Sequence, residues 1–161
     1  MSGYRNESFR VQLTTAEQIA AVWVSPTVGR ASLVFARATG DIQSMTAGSG
    51  IIYQESSKVT RVGRMHGFQL WANKPAALKM TSPRYQEVKA TDVPEITDDD
   101  GTHVRLVYGH FWRKTGPLEG IAADPTYLDV SVPARKRKTL PVETGRHAFA
   151  YVFGGSRSYW L

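Results

Sequence analysis

The chain has 161 residues, 20 Lys and Arg against 14 Asp and Glu, 42% hydrophobic residues and no cysteine. That length suits one domain or two small ones, and 4 Trp, 7 Tyr and 6 Phe are enough to build a core, so a chain disordered throughout is excluded. Zero Cys removes disulfides, Cys-ligated zinc, iron–sulfur clusters and any thiol nucleophile.

The first residues, Met1-Ser2-Gly3-Tyr4-Arg5-Asn6-Glu7, show no charged-then-apolar export pattern. The longest apolar run, Ile19 to Val24, is far short of the roughly 20 residues that span a bilayer. The expectation is a soluble, cytoplasmic protein that does not engage membranes. Thr14 and Glu17 have the spacing of a capping box, which predicts a short helix over 14–24. Beyond Pro26 the texture changes to short apolar or alternating runs separated by Gly, Pro, Asp and Asn. Ala31–Ala36, Gly50–Tyr53, Gly67–Trp71, Val104–Val107, Tyr127–Val132 and Ala148–Phe153 read as strands, several rich in Val, Ile, Tyr, Phe and Trp. Asp98-Asp99-Asp100-Gly101 reads as a tight turn between strands, because it lacks the alternating ligands and closing Glu of a calcium loop. Many short strands at short intervals, with no longer repeat, predict an all-β sandwich or barrel.

The charge is uneven. Residues 133–161 hold six cations and one anion, so they carry +5 of the chain's +6. Four adjacent cations, Arg135-Lys136-Arg137-Lys138, repel one another between Pro133 and Pro141, and the simplest reading is a solvated connecting loop.

Two segments are more specific than composition. One is Gly40-Asp41-Ile42-Gln43-Ser44-Met45-Thr46-Ala47-Gly48-Ser49-Gly50-Ile51-Ile52-Tyr53-Gln54-Glu55. The other is Gly63-Arg64-Met65-His66-Gly67-Phe68-Gln69-Leu70-Trp71-Ala72-Asn73-Lys74-Pro75, running on through Lys79-Met80 and Pro83-Arg84-Tyr85-Gln86. Together with residues 120–130 and 147–153 they resemble the pirin family over about residues 40–155. The resemblance implies cupin (RmlC-like) jelly-roll strands from parts of two tandem barrels. It divides the chain into an unmatched segment 1–39, the later part of the first barrel over 40–90, a connection over 91–103, and the early part of the second barrel over 104–161. It also implies a mononuclear iron held by three His and one Glu, quercetin 2,3-dioxygenase activity and, in mammalian members, transcriptional co-regulation.

Carried over residue by residue, the iron site is incomplete. The family's His-x-His pair lies upstream of Gly40, but the first His here is His66. In the family's Gly-Ile-x-His-x-Glu stretch, here Gly50-Ile51-Ile52-Tyr53-Gln54-Glu55, the Glu is kept at Glu55 and Tyr53 stands at the His position. Tyr53 and Glu55 are two apart and would share a strand face. They are the candidate metal ligands, and Glu55 and His66 the candidate acid–base groups, although a strand His is more often a structural hydrogen-bonding residue. Trp71, Phe68 and Leu70 read as core and domain interface, and Arg64 and Arg84 as partners for acids across a sheet.

Three functions compete at this level. One is a flavonol dioxygenase with a rebuilt metal site. Another is a non-catalytic cupin module that binds a protein partner or a second copy through open barrel edges. The least favoured is nucleic-acid association through Arg135–Lys138. Barrel parts with unpaired edges leave four outcomes open: residues 1–39 supply replacement strands, the two halves close on each other, two chains associate, or the chain is a truncated or frame-shifted gene product, the last motivated by the abrupt start of the match at Gly40.

Overall fold

The computed structural model describes residues 8–13, 17–24, 31–36, 40–52, 68–121, 124–143, 145–154 and 157–160; side chains are described for 40–52, 70–71, 74–121, 124–143 and 145–152. Among these residues the protein is all-β, as the strand spacing predicts. The only helical pieces there are two single 3-10 turns, Ala76–Leu78 and Ala90–Asp92. The chain forms two compact units. One comprises Met1–Pro26, Pro94–Gly116 and Asp124–Leu161, the other Thr27–Val93 and Pro117–Ala123. This division follows strand pairing and differs from the resemblance-based segments.

In the first unit, β1 (Ser8–Leu13), β2 (Glu17–Val24), β7 (Glu95–Thr97), β8 (His103–Tyr108), β9 (His110–Phe111), β10 (Lys114–Thr115), β11 (Thr126–Val132), β12 (Arg137–Pro141), β13 (His147–Gly154) and β14 (Arg157–Trp160) pair antiparallel. They make a five-stranded sheet in the order β13-β2-β11-β8-β7, a three-stranded sheet β12-β1-β14 and the ribbon β9-β10. The period-2 pleat sends Val104 and Leu106 of β8 and Leu128 and Val130 of β11 to one face, where each is fully buried. Leu140 from the three-stranded sheet, Val152 of β13 and Phe111 close the same cluster. Full burial of one such side chain contributes about 1.5–3 kcal/mol.

The predicted helix over 14–24 is corrected by β2. Glu17–Val24 is a central strand, with Ile19 opposite Val130 on one side and Val152 on the other. The physical reason is the run Ile19, Val22, Trp23 and Val24, whose β-branched and aromatic residues suit a pleat. An isolated helix of that length is marginal, and two flanking ladders outweigh a capping-box coincidence.

In the second unit, β3 (Ala31–Ala36), β4 (Ile42–Thr46), β5 (Phe68–Asn73) and β6 (Arg84–Val88) form an antiparallel sheet in the order β5-β3-β4-β6. Ile42, Ser44, Met45 and Thr46 of β4 are buried. Three expectations are corrected in this unit. Gly50, Ile51 and Ile52 are not strand, and Ile52 is fully exposed. Trp71 is 65% exposed, because the pleat turns it away from the face that half-buries Leu70. Among the described residues Arg84 meets no acid side chain: its Nη1 donates to the Glu119 carbonyl at 3.1 Å.

The basic run is also corrected. Arg135 and Lys136 occupy a turn closed by Lys136 N–H donating to Pro133 O at 3.1 Å, but Arg137 and Lys138 begin β12. Strand alternation buries Lys138 and Leu140 and exposes Arg137 and Thr139. The acidic run behaves as read. Asp98 N–H donates to Thr102 O at 2.8 Å and Gly101 N–H to Asp98 O at 2.9 Å, with Gly101 at φ 82°. This is a three-residue hairpin loop, and the left-handed position is where glycine is needed.

Candidate functional site

The residues assigned chemistry from the sequence, Tyr53, Glu55 and His66, lie outside the described residues, as does Arg64. The structure does describe the frame that leads into them. β4 ends at Thr46, and Gly50 N–H donates to Ala47 O at 2.9 Å, folding Ala47–Gly50 into a turn. Ser49 N–H donates to Thr81 O at 3.0 Å. Gly48, at φ 54°, lies so close to that carbonyl that a Cβ would sit 2.0 Å from the Thr81 oxygen, so only glycine fits. Thr81 also anchors the segment after β5: its hydroxyl donates to Leu78 O at 3.0 Å and accepts from the buried Lys74 ammonium. The turn before Tyr53 is therefore fixed by hydrogen bonds, and Ile51 and Ile52 leave it exposed.

The far edge of this sheet is closed by a side chain acting as a strand. Gln86 Nε2 donates to Glu119 O at 2.8 Å, and Glu119 N–H donates back to Gln86 Oε1 at 3.2 Å. At the start of β4, Asp41 accepts from Ala90 N–H at 3.0 Å and from Lys89 Nζ at 3.2 Å. The Glu87 and Asp41 carboxylates raise the Lys89 pKa.

The first unit carries two polar clusters. On β7, β8 and β11, Arg105 stands opposite Glu95 and Asp129. Its Nε lies 3.2 Å from Glu95 and its Nη1 3.8 Å from Asp129, and His103 Nε2 is 3.3 Å from Glu95. Burial raises the Asp129 pKa, only partly offset by Arg105 and His103. Burial, helped by Asp129, pushes the Tyr127 phenol up to about 12. The period-2 spacing of His103 and Arg105 and of Asp129 and Ser131 was the sequence signal for this ladder, but it needs the register to be read. In the other cluster, the Lys138 ammonium bonds to Asp98, lies 3.3 Å from Asp100 Oδ2, and sits 4.8 Å from the Trp112 ring centroid. Thr102, whose backbone N–H donates to Asp100 Oδ1 at 2.8 Å, holds the Asp100 carboxyl below its ordinary value. Neither cluster is a metal centre: among the described residues no three His, Cys, Asp or Glu side chains converge on a common point.

Comparison with known proteins adds to this geometry. The family model described as Pirin matches residues 31–72. A pirin-like protein of Caulobacter vibrioides is 42% identical over 117 residues, covering 72% of this chain and 42% of the relative. A Thermoplasma acidophilum protein, provisionally named a quercetin 2,3-dioxygenase, is 34% identical over 136 residues, covering 74% of this chain and 52% of the relative. The chain thus spans about half the length of the curated relatives it matches. The crystal structure of a quercetin 2,3-dioxygenase from Acinetobacter baumannii aligns at a TM-score of 0.47 and 16% identity, covering 96% of this chain and 69% of that one.

Proposed function

The chain belongs to the pirin family, and on that premise we propose that it is a cupin-type pirin-like protein without the family's iron chemistry, working as a non-catalytic binding module. The observation that carries this reading is the donor set. Iron of this kind takes imidazole and carboxylate ligands. Here Tyr53 occupies the His position beside Glu55, and no His precedes His66. One phenolate and one carboxylate leave most coordination positions to water, and ligand number and type set affinity. The residues present therefore do not fit the metal as the family holds it. Glu55 and His66 lack the centre they would serve as acid–base groups, and no step is assigned to them.

The competing reading, a flavonol dioxygenase with a rebuilt site, makes a distinct forecast. The purified chain, supplied with Fe(II) and dioxygen, would bleach the absorbance of quercetin catalytically. The proposal expects no turnover above free Fe(II), and the same null result for Glu55→Ala. Turnover that disappears in Glu55→Ala overturns it.

A further inference from the structure

Three turns of the first unit converge. The first is the acidic turn Asp98–Gly101, the second Trp112-Arg113 between β9 and β10, and the third Pro133–Lys136 before β12. Lys138 ties them together, bonding to Asp98 and Asp100 in the first turn and lying 4.8 Å from the Trp112 ring in the second. The third turn meets the first directly, since a Cβ on Gly101 would lie 3.3 Å from Pro133 Cγ. The turn tips are strained. Trp112, Arg113 and Arg135 sit at φ 41°, 62° and 60°, a region that side chains other than glycine seldom adopt and that recurs at functional sites.

The strain displays a particular set of groups. Arg113, Lys114, Arg135 and Lys136 are exposed around the junction, and Trp112 is 37% exposed, its ring centroid 4.6 Å from that of Phe111. Asp98 and Asp100 are engaged by Lys138, so Asp99 is the one acid of this turn outside that pairing. The local balance is positive, and the partly exposed Trp112 ring, with Lys138 over one face, lies at its centre. The left-handed φ of Trp112 and Arg113 is what the two-residue β9–β10 turn requires; polyanion binding accounts for the charge, but not for a partly exposed ring at the tip of that turn. A chain of phosphates with unpaired bases accounts for both, because cations track the backbone while a base stacks on the ring. We propose that the three turns form a binding surface for single-stranded nucleic acid, with Arg113, Lys114, Arg135 and Lys136 meeting phosphates and Trp112 stacking on a base.

Fluorescence anisotropy with a labelled oligothymidylate, titrated with protein at several salt concentrations, tests this. Affinity should fall linearly on a log–log plot against salt. The double variant Arg135→Glu/Lys136→Glu should bind at least about tenfold more weakly and flatten that slope by about 1.4, at roughly 0.7 per lost single-strand phosphate contact. Trp112→Asn, which suits the left-handed backbone, should weaken binding about fivefold or more through loss of stacking. Circular dichroism and thermal melting establish that both variants are folded. No binding, salt-independent binding or an unchanged double variant overturns the proposal. So does equal affinity for heparin or duplex DNA together with an indifferent Trp112→Asn, which would reveal a bare polyanion surface.

Discussion

Replacing Lys138 separates charge from packing at the junction of the three turns. The Lys138 side chain is 10% exposed, while its partners Asp98 and Asp100 are 32% and 29% exposed. Breaking a fully buried ion pair costs about 3–5 kcal/mol, but water reaches both carboxylates here, so the pairing loss falls to about 1 kcal/mol. Loss of the cation above Trp112 adds about 0.5–1 kcal/mol. Lys138→Met keeps most of the stem and should destabilise the protein by about 1.5–2 kcal/mol. Lys138→Ala also removes three buried methylenes at about 0.8 kcal/mol each, bringing the cost to about 4 kcal/mol. Urea unfolding followed by tryptophan fluorescence reads both, and the gap between the variants isolates the stem. A neutral Lys138→Met, or equal losses for the two variants, would show that Lys138 is a solvated surface cation and that the turns are not joined through it.

Other consequences follow from single residues. Gly48→Ala should lower the urea midpoint by the equivalent of about 2–3 kcal/mol, since the new methyl meets the Thr81 carbonyl and the backbone is left-handed; a wild-type midpoint would mean that the turn is not held as described. Asp129 has a folded-state pKa above its unfolded value, so its contribution is most favourable in acid and is lost as pH rises through the raised value. Asp129→Asn should therefore gain stability relative to wild type at neutral pH and show no gain below about pH 3. Thermal melts across that range decide it, and a pH-independent difference contradicts the burial argument.

How much of this was legible depended on what each strand packs against. Ala31–Ala36 was readable to the residue, and Val104–Val107 and Tyr127–Val132 nearly so, because apolar β-branched runs ended at turn residues. β2 misled because Ala20 and Ala21 favour a helix and Thr14–Glu17 mimics a cap; only the ladders to β11 and β13, distant in sequence, decide it. β12 was hidden by its charges, since Lys138 looks solvated until Asp98 and Asp100 arrive from 40 and 38 residues away. β1 carries a signal of its own, since Phe9, Val11 and Leu13 alternate along it. The candidate iron site was legible only as residue identities, Tyr53 in place of a His and Glu55 retained, and the ladder of Glu95, Arg105 and Asp129 only once register was known.

Metal analysis after Fe(II) loading and desalting decides whether this chain has an iron-holding donor set. Far less than one iron per chain is expected, with Glu55→Ala indistinguishable from wild type. About one iron per chain in the wild type, lost in Glu55→Ala, would contradict that expectation.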